Sequence, residues 1–377
     1  MIKRCIHDIR LLDGCGGDFP CADVFIKDEF IADIRIPSGP APADWHIIPG
    51  GGCTVMPGLI DGHVHLLFDS SPRAPMAMMR KTRDQLISEA LPRARATLKS
   101  GITSIRDLAG TPKGMFSLKE GLAGAKDIPR IYDCFTVLTA EGGFGAEAAI
   151  TVTQKTAASI IGRLAEKADF FKILGDRDDE TSPDGFAPHF DDDTFAEICR
   201  AARDQGRPIT VHAKCRTTIR QCLLNGVHSI EHAVRAEDDD LKAMAAQGAF
   251  LDATFLGLKC RADNQPNFDE FARVKAFYPR ASEFGVLLTM GSDSGTVFTP
   301  HAGGVEELKF MVQAGLRPMD AIRAATSVAA QRLGDQSIGA VALGRKADLL
   351  LIEEDPLSDI CAIDRSLRWV MKDGRIV

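Results

Sequence analysis

Strand-like apolar stretches alternate with helical ones along most of this chain, and that alternation restricts the fold more than any other feature. The stretches are PGLIDGHVHLLF, TSIRDL, RIYDCFTVL, FFKIL, PITVHA, HSIEHA, AFLDATFL and VLLTMGSD. Repeated strand–helix alternation over about 250 residues is the signature of a (β/α)8 barrel, with an open doubly wound sheet as the rival topology. Pro318 starts a helical segment that carries Met319, Ile322, Ala325, Ala329 and Leu333 on one face, and Gly334 ends it. The two chain ends have another texture. DVFIKDEFIADIRI near the start, ADLLLIEED and RWVMKDGRIV near the finish read as half-buried strands, the last with an Asp373-Gly374 hairpin turn. The expected fold is therefore α/β: a TIM-like (β/α)8 barrel over 55–337, and a small β-sandwich domain made jointly by 1–54 and 338–377.

A barrel of this kind carries its chemistry at the C-terminal ends of its strands. His63 and His65 end the first stretch, Lys172 lies in FFKILGD, His212 ends PITVHA, His232 ends HSIEHA and Asp293 ends VLLTMGSD. Two histidines at i and i+2 face the same side of a strand, so both imidazoles of HVH can reach one ion. Neutral imidazole and carboxylate are common zinc ligands. Taken singly, each residue has an ordinary explanation: a buried histidine, a snorkelling lysine, a turn-capping aspartate. Six ligand-competent side chains at successive strand ends are not explained that way together.

Composition removes other classes. The chain has 377 residues, 45% apolar and 26% charged, with a formal charge of −7 and no Lys/Arg-rich block, which argues against a nucleic-acid or anionic-membrane partner and for a small-molecule substrate. Ten cysteines without CxxC spacing read as reduced thiols. The start lacks a signal-peptide core and no apolar run reaches about 18 residues, so the cytoplasm is the expected compartment.

At these residues the chain resembles the amidohydrolase superfamily of metal-dependent hydrolases, most nearly its imidazolonepropionase-like and Xaa-Pro dipeptidase-like members. PGLIDGHVHL, the lysine strand, the two single histidines, GSD and the closing AATSVAAQRLG…IGAVALGRKADLLLI carry the likeness. The resemblance implies two divalent ions, with zinc expected, bridged by a carboxylated Lys172. His63, His65 and Asp293 would hold one ion, His212 and His232 the other. A metal-bridging hydroxide would attack a carbonyl while Asp293 shuttles the proton to the leaving nitrogen. The one-metal deaminating branch has a glutamate three residues after the first single histidine; here HAKC puts Cys215 there. The dipeptidase-like GGHG is AEGGFGA, with Phe144 in place of the histidine. Arg177, His301 and Phe144 are candidate substrate contacts, Glu231 a candidate for orienting its neighbours, and His189 and His228 read as structural. The acidic runs Asp191 to Asp193 and Asp238 to Asp240 suit exposed helix starts. The expected activity is cleavage of an amide-type C–N bond in an N-acyl amino acid or dipeptide-like molecule by a homo-oligomeric enzyme. Ring-opening of a cyclic amide, deamination of a nitrogen heterocycle and a metal-free interaction protein on the same scaffold are the alternatives.

Overall fold

Each of the alternating stretches contributes a strand in the computed structural model, which describes residues 2–40, 42–143, 145–182, 185–265 and 269–377. Leu59–Val64, Ile102–Asp107 and Arg130–Asp133 form a three-stranded parallel sheet. Val137–Thr139, Phe171–Leu174, Ile209–Ala213, Ser229–His232, Phe250–Asp252 and Leu287–Thr289 follow one another in a second parallel sheet, with the short Ile150–Thr151 on its edge. Strands covered on both faces are usually apolar, but Ile102–Asp107 also buries Thr103, Ser104 and Arg106. The two sheets meet where Gly62 N–H donates to the Met290 carbonyl (2.9 Å), Asp293 N–H to His63 (2.8 Å) and His65 N–H to Ser294 (2.8 Å). These contacts set the first strand beside the segment that follows the last. The architecture is a TIM-barrel-like α/β fold.

Both chain ends enter one eight-stranded sheet. Thr54–Pro57 pairs parallel with Lys3–Leu12 and antiparallel with Leu349–Ile352, which pairs in turn with Leu367–Lys372. Ile6, Ile9, Val24, Ile26, Val55, Leu349 and Leu351 form an apolar core for this sheet, separate from the larger core around the parallel strands. Asp373 (φ 46°) and Gly374 (φ 71°) make the hairpin turn that the DG pair predicts.

Three sequence readings change in detail. The segment begun by Pro318 is two helices, Pro318–Ala324 and Ser327–Leu333. The break has a local cause: Ile60 N–H takes the Ala325 carbonyl (2.7 Å) and the Thr326 hydroxyl bonds back to Ile322 (2.6 Å). AFLDATFL is strand only to Asp252, because Thr254 turns left-handed (φ 53°) and starts the Phe255–Asn264 helix. Both acidic runs do sit at helix starts, yet Asp240 is buried against Arg216 and Arg220. Among the described residues no helix is long and apolar enough to cross a membrane, and all ten cysteines are free.

Candidate metal centre

The parallel strands bring five of their C-terminal ends to one place. His63, Lys172, His232 and Asp293 are buried there, with His65 and His212 half-buried. Ring centroids lie 5.2 Å apart for His63–His65, 5.2 Å for His63–His232 and 4.6 Å for His212–His232. The Asp293 carboxylate is 3.0 Å from His65 Nε2 and 3.4 Å from His63 Nε2. One ligand atom from each of His63, His65 and Asp293 falls within 4.8 Å of the others, a spacing that fits a single ion. His63, Glu231 and Asp252 meet the same criterion, but Glu231 is held by Arg106 and Asp252 by Arg332.

Backbone strain is present at this point. His232 (φ 71°), Ala233 (φ 48°), Thr254 (φ 53°) and Asp293 (φ 58°) are left-handed without being glycine, at a cost of about 1–3 kcal/mol each that persists where surrounding structure fixes a functional geometry.

Neighbouring side chains decide which imidazole nitrogen is available. His63 Nδ1 is 2.7 Å from Glu231 Oε2, so it donates to that carboxylate and leaves Nε2 as the lone-pair nitrogen facing Asp293. His232 Nδ1 is 2.7 Å from the Thr254 hydroxyl, which itself donates to the Ala253 carbonyl at 2.7 Å and therefore accepts from the imidazole. Glu231 is fixed in turn by Arg106 (2.6 Å), Ser229 (2.8 Å) and Thr210. Burial, reinforced by the Lys172 charge, pushes His63 down to about 4. Burial also holds His212 and His232 well below the usual imidazole range, so all three are neutral near pH 7, the form that can bind a metal. Burial opposes ionisation of Asp293, but the His65 hydrogen bond, with the neighbouring imidazoles, outweighs it and keeps the carboxyl ionised.

Lys172 is the least satisfied residue of the group. Its Nζ is buried without a hydrogen-bond partner among the described residues, and burial lowers its pKa to about 8. An amine in this setting is a poor ammonium and a competent nucleophile or ligand precursor. The orphaned Nζ and the converging Nε2 and carboxylate atoms together fit a divalent-metal centre.

The other candidates are placed differently. Arg177, on the Asp176–Asp178 strand, is exposed and engages Asp179 (3.6 Å) and the Pro188 carbonyl (3.4 Å). His301 Nε2 donates to the Phe68 carbonyl (2.8 Å), and the Phe68 ring stacks on His65 with centroids 5.2 Å apart. Phe144 lies outside the described residues. His228 packs on Phe250. Cys215, at the position of the missing glutamate, is buried and caps the next helix through Thr218 N–H.

Sequence reasoning missed Arg106, Thr254 and Asp176. Asp176 accepts from the Lys214 and Cys215 N–H groups (2.6 and 2.8 Å) and lies 3.5 Å from His212 Nε2. Its position just after FFKIL was a usable signal; nothing in the spacing of Arg106 or Thr254 pointed to them.

Comparison with known proteins agrees with this geometry. A model of the amidohydrolase family matches residues 54–377. An uncharacterized protein of Mycobacterium tuberculosis is 26% identical over 87% of this chain and 86% of its own length. The ochratoxinase of Aspergillus niger is 24% identical over 97% of this chain and 85% of its own. A crystal structure of a Xaa-Pro dipeptidase with methionine bound in its active site superimposes with a TM-score of 0.88 at 23% identity, covering 100% of this chain and 99% of that one.

Proposed function

Since the chain belongs to the amidohydrolase family and is accordingly a hydrolase of carbon–nitrogen bonds, we propose that it cleaves the amide of an N-acyl amino acid or dipeptide-like molecule at a two-metal centre. The observation that carries this reading is the convergence of His63, His65 and Asp293 within ligand spacing beside a buried Lys172 that has no hydrogen-bond partner among the described residues. His63, His65 and Asp293 would hold one ion, His212 and His232 the other, with a carboxylated Lys172 between them and zinc the preferred metal. The likeness to a dipeptidase that binds methionine in its active site favours an amino-acid-derived amide. We assign 55–337 to a closed (β/α)8 barrel and 1–54 with 338–377 to the companion β domain.

The ions supply Lewis acidity that polarises the scissile carbonyl and acidifies a water. Glu231 and Thr254 keep the His63 and His232 imidazoles in the tautomer that exposes Nε2. Asp293, ionised and within 3.4 Å of two imidazoles, takes the water proton and passes it to the nitrogen as the C–O bond forms and the C–N bond breaks. Cys215, turned into a helix cap, has no part in that relay.

Lys172→Ala tests the reading. Metal content and hydrolysis should fall together, and short carboxylic acids should restore part of both by supplying bridging oxygens. An active variant with unchanged metal content overturns the two-metal assignment.

A further inference from the structure

The Phe255–Asn264 helix begins at Thr254 and lies directly over the metal centre: a Cβ added to Gly257 would stand 2.8 Å from Asp293 Oδ2. Arg261 is four residues further on, hence on the same face and about 6 Å along the axis. Helical side chains lean back toward the N-terminus, which directs Arg261 along the face on which Gly257 meets Asp293.

Apart from Lys172, three cations near the centre are matched by carboxylates: Arg106 by Glu231 (2.6 Å), Arg332 by Asp252 (2.8 Å) and Lys214 by Glu270 (2.9 Å). Arg261 is different. Among the described residues it has no carboxylate within 4.0 Å, and its Nε is buried without a hydrogen-bond partner. A half-buried guanidinium left unpaired beside a cluster that binds cations is unfavourable unless an anion arrives with the ligand.

We propose that Arg261 anchors the carboxylate of the substrate, so that the enzyme selects amides carrying a free carboxylate: N-acyl amino acids and peptides with an unblocked C-terminus. The planar fork of a guanidinium matches a carboxylate through two parallel hydrogen bonds, which fixes orientation as well as charge. This assignment rests on the hydrolase reading above for the identity of the bond, but not for the anion itself.

The test uses the metal-loaded full chain and four matched pairs: N-acetyl-leucine, -methionine, -phenylalanine and -proline, each as the free acid and as the carboxamide. Binding is measured by calorimetry and hydrolysis by product release, for the wild type, Arg261→Met and Arg261→Lys. The acids should bind the wild type roughly 10- to 100-fold more tightly than the amides. Arg261→Met should abolish that preference and leave amide binding unchanged, with Arg261→Lys intermediate. A wild type without acid preference, including one that binds no member of the panel, overturns the proposal. So does an Arg261→Met variant weakened equally for both sets. Hydrolysis without acid preference rejects the anchor and leaves the hydrolase reading standing. Arg261-dependent preference without hydrolysis upholds the anchor and rejects that reading of the bond.

Discussion

Removing the Glu231 carboxylate would strand two partners at once, the Arg106 guanidinium and the His63 Nδ1–H. Breaking one side of a buried ion pair costs about 3–5 kcal/mol, and loss of an imidazole-orienting partner lowers metal affinity roughly 10- to 100-fold. Glu231→Gln should therefore show both a lower melting temperature and weaker metal retention in chelator titrations. Unchanged metal affinity would show that His63 does not need its carboxylate. Five of the six ligand-competent residues were legible because they close apolar stretches in the sequence, and Lys172 because it interrupts one. Arg106 was not, since its side chain reaches Glu231 across 125 positions and no local spacing announces such a contact. Orientation of Glu231 itself could be suspected from HSIEH, but only the structure says which imidazole it serves.

Between elements, the close approach of the Phe255–Asn264 helix to Asp293 makes Gly257 a point of conflict. In most helices Gly→Ala is stabilising by about 1 kcal/mol. Here the new methyl would meet Asp293 Cβ and Oδ2, both at 2.8 Å. Gly257→Ala should lower turnover while leaving the melting temperature within a few degrees of the wild type, because the side chain that must move is the proposed proton carrier and not part of the apolar core. Normal turnover would mean that Asp293 is not held where the structure has it. Element types were readable from periodicity, but their ends were set by tertiary contacts. The Ala325 carbonyl leaves its helix for Ile60 N–H, and Thr254 turns left-handed beneath His232; neither preference is intrinsic to those residues.

At the scale of the whole molecule, the sheet built from both chain ends contains its own charged core. Asp23 is fully buried and accepts from Ser38 (2.6 Å), Asp8 N–H (3.1 Å), Gly39 N–H (3.2 Å) and Arg35. Burial alone would favour the protonated acid, but these donors outweigh it and hold the folded pKa well below the unfolded value of 3.8. A depressed acid stabilises the fold above its unfolded pKa, and that contribution is lost as pH falls through the folded pKa. Asp23→Asn should therefore melt earlier than the wild type at pH 7, with the gap narrowing below about pH 4. A gap independent of pH would remove Asp23 from the account. That both ends were strand-forming and belonged together was readable from their shared alternation, whereas the Val55–Leu351 register that joins them is a pairing too distant for any local pattern to encode.

The hydrogen bonds that fasten residues 62–65 to 290–294 also impose an order in time. His65 and Asp293 are separated by 228 residues, which a ribosome elongating at about 5–20 residues per second takes roughly 10–45 s to traverse. On the two-metal proposal, the nascent chain displays HVH throughout that interval without the carboxylate that would complete its donor set. A growing chain would then be a weak competitor for metal, and capture of the ion would wait until Asp293 has been made and folded against HVH.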